Sequence, residues 1–369
     1  MIRAVPAEVL RLSSQAPDPQ AVARAAALIR AGQLVAFPTE TVYGLGANAF
    51  DSAAVARIFA AKGRPANDPI IVHSFGGIPE GVVDWSLLGE QAQQAAQALM
   101  AAFMPGALTL VLPRGARIPP NVTAGLPSVG VRMPAHGVAQ ALITAAGVPI
   151  AAPSANRFAH TSPTTAQHVY ADLAEHIALI LDGGATQVGV ESSILDLCSD
   201  PPRLLRHGGV PLEAIRACLR AAHLPDSVAV VSRYAEGDSE PLSAPGMLLK
   251  HYAPRATLTL YEGADDVALR QALAEAAAAI TAHNAEARVG VLLAAEDAPF
   301  FAALPMLCVQ VVGARDDLEA VARNLFAALR ALDAQGVTHI LARGFPMQGI
   351  GAAVRDRLVR AASGRVVRL

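Results

Sequence analysis

The sequence predicts an α/β protein of two domains, on three observations. Strand-like and helix-like segments alternate through the first ~215 of its 369 residues, the order expected when helices cover a sheet. Between 222 and 255 that periodicity lapses into Pro, Gly, Ser and scattered charge. Beyond it strands and helices alternate regularly again, as in a small open sheet of the doubly wound kind. Length agrees with the division, at roughly 150 residues per domain. The expected layout is a first domain over 1–221, a linker over 222–255 and a second domain over 256–369.

Taken in order, residues 20–31 form an Ala-rich helix and QLVAFPT a strand. DSAAVARIFAAKG reads as a helix with Asp51 or Ser52 at its N-cap, where a side-chain oxygen can accept from the first backbone N–H groups. Gly63 stands just past its end, where a left-handed residue is favoured. DPIIVHS is a short buried strand, and a helix near 90–103 precedes the strand ALTLVLP. SVGVRMP, a helix near 137–146 and VPIAAPS follow. TSPTTAQHVYADL starts a helix with Ser162 as cap and Pro163 at the first helical position, where a missing N–H costs nothing. IALILDGG, SSILDLC and PRLLRHG are strands, closed by the helix VPLEAIRACLRAA. In the second domain TLTLYEG, RVGVLLA, LCVQVVG and THILARGF are strands, with helices at 265–283, 315–332 and 351–362.

Composition excludes several classes. Hydrophobic residues at 53% against 16% charged describe a well-buried chain and exclude disorder as its main character. With aromatics at 4%, the core must come from Ala, Val, Leu and Ile. A formal charge of −2 gives no general attraction to nucleic acid, so a polyanion or nucleotide site has to be a local basic cluster. Cys198, Cys218 and Cys308 show neither CxxC nor His/Cys ligand spacing, which argues against structural zinc and a disulfide framework, and no metal-ligand set is assigned. MIRAVPAEVLRLSS lacks the basic start and apolar run of a signal peptide, and a cytoplasmic protein is expected.

The chain holds two lysines, Lys62 and Lys250; its other basic side chains, histidines apart, are arginines. Lys62 closes a predicted helix and Arg64 precedes Pro65, which biases Arg64 to an extended backbone. One reading is neutralisation of the helix dipole by two solvated cations. The other is a stiff, polar turn, RPANDP, that fixes cations for phosphate or carboxylate oxygens. Ser154 and Asn156 follow the strand VPIAA, at a carboxyl end of the kind where α/β sheets bind ligands; taken alone, an ordinary turn is the better explanation of them. Ser192 and Ser193 in GVESSILD and Arg206 in RLLRHGG form two further weak clusters, and Arg132 in VGVRMP reads either as an anion partner or as half of an ordinary salt bridge. GLGANA at 44–49 fits a loose dinucleotide fingerprint but does not run from a strand straight into a helix, so NAD binding is rejected. There is no Walker A loop, no HExxH and no GxSxG, hence no supported covalent nucleophile.

FPTETVYGLGANA, KGRPANDPIIVH, PGALTLVL, VTAGLPSVGVRMP, APSAN, LDGG, VESSILD and LLRHGGV, in this order, resemble the YrdC-like threonylcarbamoyl-AMP synthase family. The resemblance runs on through SAPGMLLKHYAP and the last βα segments, as in the long two-domain form. It implies a twisted mixed sheet whose helices enclose a concave nucleotide pocket, followed by a smaller Rossmann-like open-sheet domain. It implies synthesis of L-threonylcarbamoyladenylate and pyrophosphate from L-threonine, bicarbonate or CO2, and ATP, for modification of tRNA next to the anticodon by partner transferases. Magnesium is expected with the ATP. A non-catalytic RNA-binding or ribosome-assembly protein using the same basic hollow is the alternative.

Carried over residue by residue, the resemblance makes Lys62, Arg64, Ser154 and Asn156 the catalytic tetrad. Thr41, His73, Ser154 and Ser192 fall on the threonine side. Lys62, Arg64, Asp68, Thr123, Asn156, Thr164, Arg206, His251 and Tyr252 fall on the ATP side, the last two in a linker expected to close over the nucleotide as a lid.

Overall fold

The computed structural model describes residues 6–231 and 252–369. They fall into two compact units; the larger takes the chain up to residue 231 apart from Ala159–Thr161 and Val188–Val190, which group with 252–369. Among the described residues no helix is long and apolar enough to cross a membrane.

The first unit begins with β1 (Glu8–Arg11), α1 (Pro19–Arg30), β2 (Val35–Phe37), β3 (Gly44–Asn48), α2 (Ser52–Lys62) and β4 (Val72–His73). It continues with α3 (Glu90–Phe103), β5 (Leu108–Pro113), β6 (Ser128–Arg132), α4 (Gly137–Ala146), β7 (Ile150–Ala151) and α5 (Ala166–Leu173). It closes with β8 (Leu179–Asp182), β9 (Ser193–Asp196), β10 (Arg203–Arg206), α6 (Leu212–Ala221) and β11 (Ala229–Val230). The strands make one mixed sheet in the order β1-β8-β2-β3-β7-β4-β6-β5-β9-β10-β11. β11 pairs in parallel with β10, so the first sheet reaches into the stretch expected as linker.

Strand alternation sorts the core into two faces. Ala36 and Ile180 pack with Val55 and Ile58 of α2 and Leu99 of α3, while their neighbours Val35, Phe37, Leu179 and Leu181 pack with Ile29 of α1 and Leu142 of α4. Further along the second face, Ile71, Val111, Ile194 and Leu205 form a small cluster to which no helix contributes. Among the described residues Val231 packs against this cluster, whose members are all buried.

Three local expectations change. The Gly-rich stretch GLGAN, left out of the strand assignments, is β3, antiparallel to β2 and β7. A Cβ on Gly46 would lie 2.8 Å from both Ile150 and Phe37, so close strand neighbours demand glycine there against its low strand propensity. DPIIVHS keeps only Val72 and His73 as strand, because Ile70 donates instead to the Val122 carbonyl. The helix expected to start at Ser162 and Pro163 starts at Ala166, capped by Thr165, whose hydroxyl accepts from His168 N. Ser162 donates its hydroxyl to Glu191, and the Pro163 carbonyl accepts from Tyr43 N.

The second unit runs β12 (Thr257–Glu262), α7 (Asp266–His283), β13 (Val289–Leu293), α8 (Ala298–Phe301) and β14 (Cys308–Val311). It ends with α9 (Leu318–Ala334), β15 (His339–Arg343), α10 (Gly351–Ala361) and β16 (Val366–Arg368). All its strand pairs are parallel, in the order β14-β13-β15-β12-β16. Numbered within the unit this is 3-2-4-1-5, a doubly wound sheet with a strand order different from the dinucleotide-binding 3-2-1-4-5. The α9 helix begins at Leu318 rather than 315, because Asp317 is its cap and accepts from Ala320 N.

Candidate functional site

Lys62 is the last residue of α2, and Gly63 ends that helix in the left-handed conformation at φ 63°. Asp51 caps the other end, accepting from Ala53 and Ala54 N. The terminus turns the lysine inward: only 4% exposed, it donates from Nζ to the carbonyls of Ser154 and Asn156, each at 2.5 Å. Asn156 Oδ1 is 3.5 Å from the same nitrogen and accepts from Ser154 Oγ at 2.5 Å. Asn156 Nδ2 in turn donates to the Arg157 carbonyl at 2.8 Å, and Phe158 N to the Lys62 carbonyl at 2.9 Å. Lys62, Ser154 and Asn156 therefore form one buried cluster after β7, held through backbone on both sides.

Arg64 takes a different course. Its guanidinium folds into its own turn, donating to the Asp68 carbonyl at 3.1 Å and the Pro69 carbonyl at 2.7 Å, and pairs with the Asp68 carboxylate at 2.9 Å. Both side chains are buried, so this ion pair locks RPANDP as a rigid element. Asp68, expected on the nucleotide side, faces this arginine.

His73 and Arg132 are register partners on the parallel strands β4 and β6. Arg132 donates to Glu40 Oε1 at 2.7 Å and to the Gly106 carbonyl at 3.1 Å, which resolves its two readings in favour of a salt bridge, a buried one. Burial, with the Arg132 guanidinium next in effect, pushes the His73 imidazole down to about 3. It is neutral at physiological pH, its ring edge-on to Phe37 at 6.3 Å. The Thr41 hydroxyl, fully buried, shares a 2.8 Å hydrogen bond with Thr39, which donates to the Val42 carbonyl. Glu40 was not foreseen; an acidic residue between two threonines at a strand end was the available signal.

Because the unfolded imidazole titrates near 6.5 and the folded one near 3, the unfolded chain carries the extra proton between those values. Stability should therefore be constant above about pH 6.5 and fall below it, by up to about 1.4 kcal/mol per pH unit from His73. His136, lowered by burial, adds in the same direction. Urea unfolding of His73→Gln should show a shallower slope between about pH 5 and 6.5 than wild type; equal slopes would refute a buried neutral His73.

Just before β9, the buried Ser192 Oγ is 2.8 Å from Thr109 Oγ1 on β5. Arg206 donates from Nε and from a terminal nitrogen to the Ser192 carbonyl at 3.1 and 2.9 Å, with Ser192 Oγ at 3.3 Å from the latter. A register shift in β10 between Leu204 and Arg206 aims this arginine. Thr109 and Thr123 line one narrow cavity of about 10 Å³ with Ile70, Val111 and Ile194, and the Thr123 hydroxyl donates to the Leu126 carbonyl at 2.9 Å. Thr109 was not anticipated. Thr164 faces His168 Nδ1, 3.2 Å from its N and 3.3 Å from its hydroxyl.

Of the remaining two expectations, Tyr252 alone is among the described residues. Tyr252 belongs to the second unit, fully buried at φ 60°, its ring 5.5 Å from Phe326 and beneath the guanidinium groups of Arg357 and Arg360. His251 and Lys250, with most of the expected lid, fall outside the described residues.

Two family models match the chain: that described as telomere recombination, for Sua5, YciO and YrdC proteins, over residues 27–208, and that of the threonylcarbamoyl-AMP synthase C-terminal domain over 210–363. The threonylcarbamoyl-AMP synthase of Bacillus subtilis is 44% identical over 355 residues, 95% of each chain. That of Pyrococcus abyssi is 43% identical over 348 residues, 94% of this chain and 95% of its own. The crystal structure of P. abyssi Sua5 complexed with L-threonine superposes with a TM-score of 0.84 at 40% identity, over 98% of this chain and 99% of that one. With like sequence and like fold over nearly its whole length, the chain belongs to the threonylcarbamoyl-AMP synthase family, in its long two-domain form.

Proposed function

We propose that this chain is an L-threonylcarbamoyladenylate synthase, a nucleotidyltransferase acting on L-threonine, bicarbonate or CO2, and ATP. The amine of threonine adds to CO2 and loses a proton to give a carbamate. A carbamate oxygen then attacks the α-phosphorus of ATP, the bond to the bridging oxygen of the β-phosphate breaks, and pyrophosphate leaves. Such chemistry asks a protein for positioning and fixed positive charge rather than a nucleophile. The single observation that carries the reading is the buried Lys62 ammonium at the end of β7, oriented by the Ser154 and Asn156 carbonyls.

In this reading Lys62 stands against the meeting anions, and Ser154 and Asn156 set its direction. Arg64 acts through the stiffness of its turn as well as through its charge. Neutral His73, Thr41 and Ser192 line the threonine side, and Thr123 and Arg206 border the nucleotide. Magnesium enters as part of the nucleotide substrate. Among the described residues no three His, Cys, Asp or Glu side chains gather to hold an ion, and magnesium on ATP needs no such cluster, being held by phosphate oxygens and water with at most one or two carboxylates.

The product is a labile mixed anhydride, to be consumed by a tRNA threonylcarbamoyltransferase in a cytoplasmic setting. A phosphate-tracking RNA surface needs accessible cations, whereas Arg64, Arg132 and Arg206 are buried and hydrogen-bonded, which weighs against the RNA-binding alternative. With purified protein and MgATP, pyrophosphate release should require threonine and bicarbonate together, with threonylcarbamoyl-AMP detected by mass spectrometry. Release independent of threonine would refute the assignment.

A further inference from the structure

The second unit carries a cavity of about 500 Å³ lined by none of the residues assigned above to the synthase reaction. Its place follows from the sheet. From β12 the chain crosses to β13 in one direction along the sheet, and from β15 to β16 in the other. Crossovers between parallel strands are right-handed, so α7 and α10 leave these neighbouring strands towards opposite faces. The carboxyl ends of β12 and β15 therefore part around a crevice, the position where open α/β sheets bind ligands. The cavity lies there, lined by Glu262 at the end of β12, Asp266 at the start of α7, Arg343 at the end of β15, and Arg315 and Arg355.

These side chains form a built wall. Arg343, 3% exposed, donates to Asp297 at 2.5 Å, to Asp266 at 2.8 Å and to the Gly344 carbonyl at 3.1 Å, so its charge is fixed in place. Arg355 is held by Glu262 at 2.6 and 3.1 Å, and Arg315 reaches Asp266. Counted with Asp297 behind the wall, three guanidinium groups face three carboxylates, so the lining is balanced and an anion would compete with Asp266 and Glu262 for Arg315 and Arg355. Phe345, Pro346 and the exposed Met347 add an apolar side. Arg315 and Arg355 stand part-exposed at the mouth, where their forks suit phosphoryl oxygens.

We propose that this crevice is a second ligand site, for a small organophosphate of about mononucleotide size whose anionic end meets Arg315 and Arg355 and whose flat body lies on Phe345 and Met347. AMP is the probe, on the full chain, read by hydrogen exchange of backbone amides. The expected result is slowed exchange in peptides spanning 262–270 and 343–351, retained in Lys62→Ala, which separates it from the first unit's site. Arg315→Ala/Arg355→Gln should weaken it about tenfold or more. Ala264→Trp, which fills the cavity from an exposed position and leaves the ion pairs intact, should abolish it and covers the case of a misfolded double variant. Inorganic phosphate should protect weakly and adenosine less. Absence of slowing at millimolar AMP, equal slowing in both variants, or protection by citrate or adenosine equal to that by AMP would each overturn the proposal.

Discussion

Replacing Lys62 by Arg is expected to lower the rate of pyrophosphate release at least about a hundredfold, although the charge is kept. The ammonium sits 4% exposed between two carbonyl oxygens at 2.5 Å, a niche for a compact donor with three protons. A guanidinium is planar, longer, and must satisfy five N–H donors, so it cannot enter without moving the segment from Ser154 to Phe158. Lys62→Met, similar in length and uncharged, should lose as much or more, and it also strips both carbonyls of their donor, each worth about 1–3 kcal/mol when buried. If the lysine contributes charge to the transition state, kcat falls and the KM values for ATP and threonine move less; if it only props the loop, the KM values rise with kcat nearly unchanged. Wild-type-like kcat in Lys62→Arg would remove Lys62 from the chemistry.

The helix end that carries Lys62 was legible in the sequence because its determinants are local, whereas its meeting with Ser154 and Asn156, 92 and 94 residues on, was implied only by the family resemblance. A cap at Asp51, a Gly63 stop and a lone lysine at the helix end can all be read within thirteen residues. What escaped was decided across the sheet. Gly44–Asn48 becomes a strand only because Phe37 and Ile150 close on Gly46 from either side. Thr165 displaced Ser162 as a cap because Glu191, distant in sequence, engages the Ser162 hydroxyl, and two neighbouring hydroxyl residues offer no local basis for choosing. Arg64 and Lys62 looked alike on paper, yet the pairing of Arg64 with Asp68 four residues on sends the two cations into different roles. The two βα domains, by contrast, follow from periodicity alone; the strand order, in which β15 stands between β12 and β13, does not.

Replacing Glu40 by Leu is expected to cost about 3–5 kcal/mol of stability, because it leaves the Arg132 charge buried without its partner. The pair is 2.7 Å apart with both side chains under a tenth exposed, and the Gly106 carbonyl accepts from Arg132 without offsetting its charge. Arg132→Met should cost a similar amount. The double variant should recover most of the loss, since two apolar side chains of like volume replace an ion pair whose desolvation penalty nearly cancels its attraction. Urea unfolding of the four proteins measures the coupling directly, and single losses below about 1 kcal/mol would contradict a buried pair. Activity separates stability from positioning: Arg132 and His73 are register partners, and Glu40 adjoins Thr41, so the pair fixes the wall assigned here to threonine. A double variant that regains stability while its KM for threonine stays raised and its KM for ATP is normal would show that the ion pair is retained for the shape of that wall rather than for folding energy.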